Sequence, residues 1–477
     1  MQENSVDVCS KSAAAVFCLI LGLFVAARLW RLTAYSVRPD EIFSIQAARL
    51  NWLDLLRYVI RDIVHPPLFY MLLKIWRSIG GESEGWLRLF PVLTAVAAIC
   101  PLVLLGRELK LKVSEINLAF MLIAVNGYLI YFAQEIRMYS LLLFLTVTSV
   151  WLFARFFNAP ATVASHLMAL FVVNLLLVYT QYYGWLVIAG EFFILLVRAR
   201  NKLRWFGLSI AALIICFAPW AYKVTRAAIG LGGLESNIGS FSRPTPEDLG
   251  ELYAIFNGPL GGRIFLALGQ VLFAYPVLLW AWHIYKGQTD TRSSTTFWWL
   301  LLFSVLPVAC SFLISQVAPQ SIWGTRFFVN AAVPYLILVA MAILRLHSKW
   351  FRTATLLFVI GWASLSGLQE VKHTDKRDWE PLVYRMIRAE TSQANGIMVY
   401  AFGSSDETIM FYLQKAKEGR FQTKRIWSLA NVEGKHFWVG SRSRNERPQQ
   451  ILKDKGYEVG EGFADGFGAL LSPVWRR

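Results

Sequence analysis

The sequence predicts an α-helical polytopic membrane protein of about eleven transmembrane helices with external juxtamembrane helices, followed by a small C-terminal α/β extracytoplasmic domain. Three observations predict it. Of 477 residues, 56% are hydrophobic and only 16% charged, against roughly 25% charged in soluble domains. Several apolar runs reach the ~20 residues that cross a bilayer, and Pro and charge interrupt them without strand-like alternation, which excludes a β-barrel. Lys and Arg, finally, collect in alternate short turns.

The chain opens with an apolar run, Ala13–Ala27, followed by Arg28, Trp30 and Arg31 and by no small-residue cleavage site. This reads as an uncleaved first span running outward from the cytoplasm. The first external loop, residues 32–85, then carries helical apolar spacing over Glu41–Ile60 and a second amphipathic or partly inserted segment over His65–Ile79. Further spans fall near 86–106, 115–133, 137–157, 163–180, 182–198, 204–222, 264–286, 296–315, 327–345 and 351–367. The turns this places in the cytoplasm hold Arg107, Lys110 and Lys112; Arg155; Arg198, Arg200, Lys202 and Arg204; Lys286 and Arg292; and Arg345, Lys349 and Arg352. The short external turns hold little beyond Arg137 and Arg326, so the positive-inside bias supports this topology. A second large external loop, 223–263, is Gly-rich at Gly230–Gly233 and carries Arg243-Pro244-Thr245-Pro246. It suits a lid over a site or a plain connector.

Composition changes after Gly367, which divides a transmembrane domain, 1–367, from an extracytoplasmic α/β domain, 368–477. In the latter, Gly396–Phe402, His436–Gly440 and Phe467–Leu471 read as strands, and Asp406–Gln414 and Pro448–Lys455 as helices.

The net charge of +16 belongs mostly to the short loops, since the tail from Leu368 onward holds 18 Lys/Arg against 14 Asp/Glu. Topology and membrane lipids account for it, and no nucleic-acid partner is called for. The five cysteines lie in the N-terminal tail or in apolar runs, which excludes a disulfide framework or a cysteine metal site in the extramembrane parts. There is no P-loop and no dinucleotide fingerprint, so a nucleotide-driven pump is disfavoured.

Three clusters share the external side in this topology: Asp40-Glu41 after the first span, Gln134-Glu135-Ile136-Arg137-Met138-Tyr139 at one turn, and Trp323-Gly324-Thr325-Arg326-Phe327 at another. Arginines grip a phosphate in forked geometry, and a carboxylate takes a proton from an incoming hydroxyl. Each element also has a plainer reading. Asp40-Glu41 suits a helix N-terminal cap, Arg137 and Arg326 could snorkel to headgroups, and His65, ahead of Pro66-Pro67, could cap the helix it precedes. Glu191, inside an apolar run, reads better as the partner of a polar group on a neighbouring helix than as a site. No paired His or Cys spacing supports zinc. A divalent cation on Asp40, Glu41, Glu135 and His65 is the one metal arrangement that can be drawn, and metal dependence is otherwise open.

The acidic pair after span one, His65-Pro66-Pro67 in the first external loop and Gln134 to Tyr139 at a span start together resemble the GT-C superfamily of membrane glycosyltransferases. Within it the chain resembles the bacterial branch similar to protein O-mannosyltransferases and, more distantly, the aminoarabinose transferase of lipid A. Arg88-Leu89-Phe90 through Gly106-Arg107, and Arg326-Phe327-Phe328 ahead of Pro334, also look like spans of that branch. The resemblance covers roughly residues 12–370. It implies an inverting hexosyl- or pentosyltransferase of a bacterial inner membrane, working at its external face. The donor would be a polyprenyl-phosphate-linked sugar and the acceptor the hydroxyl of a glycan, lipid or protein. By position, Asp40 would be the general base and Glu41 its support or an acceptor contact. Arg137, helped by Arg326, would bind the donor phosphate; His65 would line that site, and Tyr139 is a further contact. The other class the residues allow is a lipid-linked-sugar flippase without chemistry. It would need a path open to both faces, whereas these polar groups gather on one.

Overall fold

The computed structural model describes residues 2–160, 164–230, 242–258, 263–372, 379–391, 395–402, 405–426, 428, 432–441, 448–464 and 469–476. Its contacts divide the chain into two compact units, one of residues Met1–Trp30 with Ala47–Val371, the other of Arg31–Gln46 with Lys372–Arg477.

The first unit is helical. All eleven apolar runs form helices, and among the described residues eight stretches are long and apolar enough to cross a membrane. They include α1 (Gln2–Leu29), α5 with α6 (Glu84–Ala97, Ile99–Glu108), α9 (Tyr139–Asn158), α12 (Arg200–Gly230), α14 (Arg263–Tyr285), α15 (Thr291–Val317), α16 (Val329–Leu344) and α17 (Lys349–Lys372). The three remaining runs differ from plain spans. Residues 115–133 form two helices, α7 (Val113–Val125) and α8 (Gly127–Ala133), bent by 63°. Asn126 makes the break. Its backbone leaves the helix at ψ 116°, and its side-chain oxygen accepts the Leu129 N–H at 3.0 Å to cap α8. Runs 163–180 and 182–198 give α10 (Ala164–Thr180, 17 residues) and α11 (Gly184–Arg198, 15 residues), separated by a tight turn at Gln181–Tyr183.

The expected single helix over Glu41–Ile60 is two, α2 (Pro39–Arg49) and α3 (Trp52–Asp62). Asn51 restarts the helix by accepting the Asp54 N–H. Helix α4 (Leu68–Gly80) begins only after Pro66-Pro67, which leaves His65 outside it. In the second large loop, α12 runs on to Gly230, and α13 (Pro246–Asn257) starts at a capping box of Thr245 and Asp248 with Pro246 in its first turn. Both described parts of this loop are helical, and Gly232 and Gly233 of the Gly-rich stretch lie outside the described residues.

Arg28, 1% exposed, closes the C-terminal end of α7 by donating to the carbonyls of Ile123 and Ala124 at 3.1 and 3.0 Å. Gln134 donates to the carbonyls of Arg28 and Trp30. The first span is thereby tied to the turn that carries Arg137.

The second unit holds a six-stranded sheet in the order β2-β1-β3-β6-β4, with β5 on β6. Strands β1 (Ile397–Phe402), β2 (Phe421–Ile426) and β3 (His436–Ser441) are parallel. Strand β6 (Leu470–Arg476) runs antiparallel to β3, to β4 (Tyr457–Val459) and to β5 (Phe463–Ala464). Tyr400, Ile426, Phe437, Val439, Leu452 and Val474 form its core. The predicted helices appear as α19 (Ser405–Lys415) and α20 (Pro448–Asp454), while α18 (Trp379–Ala389), β2, β4 and β5 are additions. Of the predicted last strand, Leu470 and Leu471 open β6, and Phe467 and Gly468 lie outside the described residues.

Candidate active site

In the first unit the chain reverses between α3 and α4. Val64 N–H donates to Asp62 O at 2.7 Å across Ile63, whose φ of 63° and ψ of −31° make a γ-turn with a β-branched residue at its centre. Such a conformation is strained and needs outside support. Tyr182 supplies it by donating to Ile63 O at 3.1 Å, and Trp220 in turn donates to the Tyr182 hydroxyl at 3.2 Å.

The turn brings His65 back onto Asp62, with Nδ1 2.8 Å from the Asp62 carboxylate. Arg137, 3% exposed, meets the same ring. Its Nη2 lies 3.3 and 3.2 Å from the two ring nitrogens. Near-equal distances put the guanidinium over the imidazole face, out of line with either lone pair. Its Nη1 donates to the Tyr70 hydroxyl at 3.2 Å, and Tyr70 is fully buried in α4. The result is a buried guanidinium set between a tyrosine hydroxyl and an imidazole that a carboxylate orients.

Local sequence explains the placement of Arg137. Gln134 to Met138 is non-helical between α8 and α9, and Arg137 N–H donates to Glu135 O at 2.7 Å. The flanking Ile136 and Met138 are fully buried, which fixes the turn. Glu135 is itself buried. Tyr139 opens α9 with its ring edge-on to Phe132 at 4.6 Å.

Arg326 lies half-buried in a 3-10 turn, Thr325–Phe328, that leads into α16. Tyr128 of α8 anchors that turn by donating to Thr325 O at 2.7 Å. The neighbouring Phe327 ring lies 6.4 Å from the His65 ring, so the Arg326 turn comes near the imidazole that Arg137 meets.

Asp40 and Glu41 belong to the second unit. Asp40 is exposed in the first turn of α2. Glu41 is buried, and its Oε2 accepts the Arg38 N–H at 3.0 Å. The carboxylate that closes the helix start is therefore Glu41, one of the pair the sequence offered for that role. Among the described residues no three His, Cys, Asp or Glu side chains converge to hold a metal ion; of the drawn arrangement, Asp40 and Glu41 belong to the second unit and Glu135 and His65 to the first.

Two participants escaped the sequence reading. Asp62 left a faint signal, a carboxylate three residues before His65 at a helix end. Tyr70 left none, because its pairing with Arg137 spans 67 residues. Asn330, one turn past Arg326, is a further polar group and is buried; neither of its amide atoms has a hydrogen-bond partner among the described residues.

The fold matches a known one. Over 98% of both chains it is similar to the crystal structure of ArnT from Cupriavidus metallidurans in the apo state, with a TM-score of 0.56 at 12% identity. With ArnT bound to undecaprenyl phosphate the TM-score is 0.52, again at 12% identity, over 99% of this chain and 98% of that one. The protein O-mannosyltransferase Pmt1-Pmt2 complex of S. cerevisiae, bound to its sugar donor, aligns over 44% of this chain and 33% of that one, at 15% identity and a TM-score of 0.35. No protein-family model and no curated protein sequence matches the chain. The protein is thus a multi-pass membrane protein with an ArnT-like fold.

Proposed function

We propose that the protein is an inverting glycosyltransferase that moves a hexosyl or pentosyl group from a polyprenyl-phosphate-linked donor to an acceptor hydroxyl. In this reading it works at the external face of a bacterial inner membrane. The observation that carries the reading is Arg137, a buried guanidinium held in one geometry by Tyr70 and His65. A preorganised cation aimed at a departing phosphate is where such an enzyme gains most, because charge develops there as the glycosidic bond breaks. The undecaprenyl phosphate bound to ArnT supports a lipid-phosphate donor for this fold.

The chemistry balances simply. The acceptor oxygen attacks the anomeric carbon while its proton passes to the Asp40 carboxylate, a base whose exposure suits an incoming acceptor. The anomeric C–O bond breaks with its electron pair going to the phosphate oxygen. Arg137, assisted by Arg326, stabilises that charge. His65 lines the phosphate site, kept in orientation by Asp62. Glu41 supports Asp40 by fixing the start of α2. Tyr139 and Glu135 flank Arg137 as further contacts. The acceptor can be a glycan, a lipid or a protein.

The test is release of free polyprenyl phosphate from a panel of polyprenyl-phosphate sugars by purified protein in nanodiscs, with envelope extract as acceptor. We expect release by wild type and near-abolition in Asp40→Asn, with donor binding retained. Transbilayer movement of donor without any release would favour a flippase and overturn the proposal.

A further inference from the structure

The segment carrying the acidic pair groups with the C-terminal domain, and two hydrogen bonds show how. Val37 N–H, 1% exposed, donates to the Tyr412 hydroxyl at 2.7 Å, across 375 residues of chain. Glu380 N–H donates to Ser36 Oγ at 3.0 Å, across 344 residues. We propose that Tyr412 and Ser36 are positioning residues for the reaction, and that the C-terminal domain serves to hold the start of α2 in place. This rests on the reading of Asp40 as the base.

The anchors form one frame. The first-turn N–H groups of a helix have no partner within it, and at Glu380 of α18 a serine from the far end of the chain supplies one. The Glu380 carboxylate pairs with Lys415 of α19 at 2.8 Å, and α19 also carries Tyr412. Two consecutive residues, Ser36 and Val37, are therefore fixed to two helices that are themselves tied together. The next N–H, that of Arg38, goes to Glu41. Tyr35, Ser36 and Val37 are all buried, so the entry to α2 has little room to shift. Asp40 follows three residues after Val37, exposed at the end of this fixed run. A base needs such anchoring, since proton transfer depends on hydrogen-bond reach. Misplacing a reacting group by about 1 Å costs on the order of a hundredfold in rate.

The experiment compares Tyr412→Phe and Ser36→Ala with wild type, as full chains in nanodiscs. Amide exchange at Val37 is measured beside kcat and KM for the active donor. We expect faster exchange at Val37 and a kcat lowered about tenfold to a hundredfold. The donor KM and the thermal midpoint should stay unchanged, and Ser36→Thr, which keeps the hydroxyl, should restore the rate. Faster exchange with unchanged kcat would overturn the proposal, as would unchanged exchange or a kcat loss that merely follows the thermal midpoint. Asp40→Asn measured alongside separates the two claims. Normal turnover by that variant removes the base, and with it the catalytic meaning of the anchor, whatever the exchange rates show.

Discussion

The helices of the first unit bury two polar clusters built on opposite plans. One is Arg137 with Tyr70, His65 and Asp62, assembled from a γ-turn, the first turn of α4 and the turn before α9. The other joins Glu191, Ser149 and Asn174 from the middles of α11, α9 and α10. In the second, every contact closes on another member. Ser149 Oγ lies 2.5 Å from Asn174 Oδ1 and 2.6 Å from Glu191 Oε1, and Asn174 Nδ2 donates to Glu191 Oε2 at 3.0 Å. Three contacts need three protons, and Ser149 and Asn174 bring one each to the ring. The third sits on the Glu191 carboxyl, whichever way the Asn174 amide is turned. A neutral, self-satisfied ring between helix middles clips three helices together. A cation on turns, beside a strained residue, is the plan that the proposed phosphate role calls for.

The largest test of that contrast is Arg137→Ala. Polyprenyl phosphate release should fall by about a hundredfold or more, donor affinity should drop, and the thermal midpoint should barely move. Unchanged donor affinity would remove Arg137 from the phosphate role.

At Glu191 the effects should fall on stability instead. Glu191→Ala leaves Ser149 and Asn174 buried without their partner and should cost about 2–4 kcal/mol. Glu191→Gln supplies an N–H where the carboxyl carried its proton, keeps the ring closed and should stay within about 1 kcal/mol of wild type. Equal losses in the two variants, read from thermal unfolding in one detergent, would mean the residue is ionised and the ring argument fails. Loss of turnover in a well-folded Glu191→Gln would make the residue part of the chemistry.

Asp62→Asn probes the edge of the first cluster. It removes the charge that orients His65 while keeping the shape, so kcat/KM should fall modestly, about three- to tenfold. No change would show that the Asp62 charge does not orient the imidazole.

How far all this was legible follows the range of the interactions. The helical runs and the Gln134–Tyr139 turn were readable because periodicity and charge bias are local. His65 was readable as a residue held out of a helix by Pro66-Pro67. The bend at Asn126 hides inside an unbroken apolar run, since one capping side chain makes it. Tyr70, Ser36 and Tyr412 were out of reach: their partners are 67 or more residues away, and nothing in their own neighbourhoods marks them. The expected single helix over Glu41–Ile60 split for a local reason, Asn51, which the apolar spacing masked.

The smallest effect belongs to a third cluster that is neither strained nor closed. Glu82, between α4 and α5, receives hydrogen bonds from Arg49 and Arg77. Burial pushes its carboxyl up, but the hydrogen bonds from Arg49 and then Arg77, with their charges, outweigh that and hold it below the usual range. A carboxylate lowered on folding stabilises the protein above its unfolded pKa, near about 4.3, and loses that contribution as pH falls through the lower folded value. The side chain is 34% exposed, so water and salt screen the pair to about 0.2–1 kcal/mol. The stability gap between wild type and Glu82→Gln should be constant above about pH 5 and shrink as the solution is acidified further. It should also narrow in high salt. A gap indifferent to both would show that these three side chains are neighbours without being partners, unlike either buried cluster.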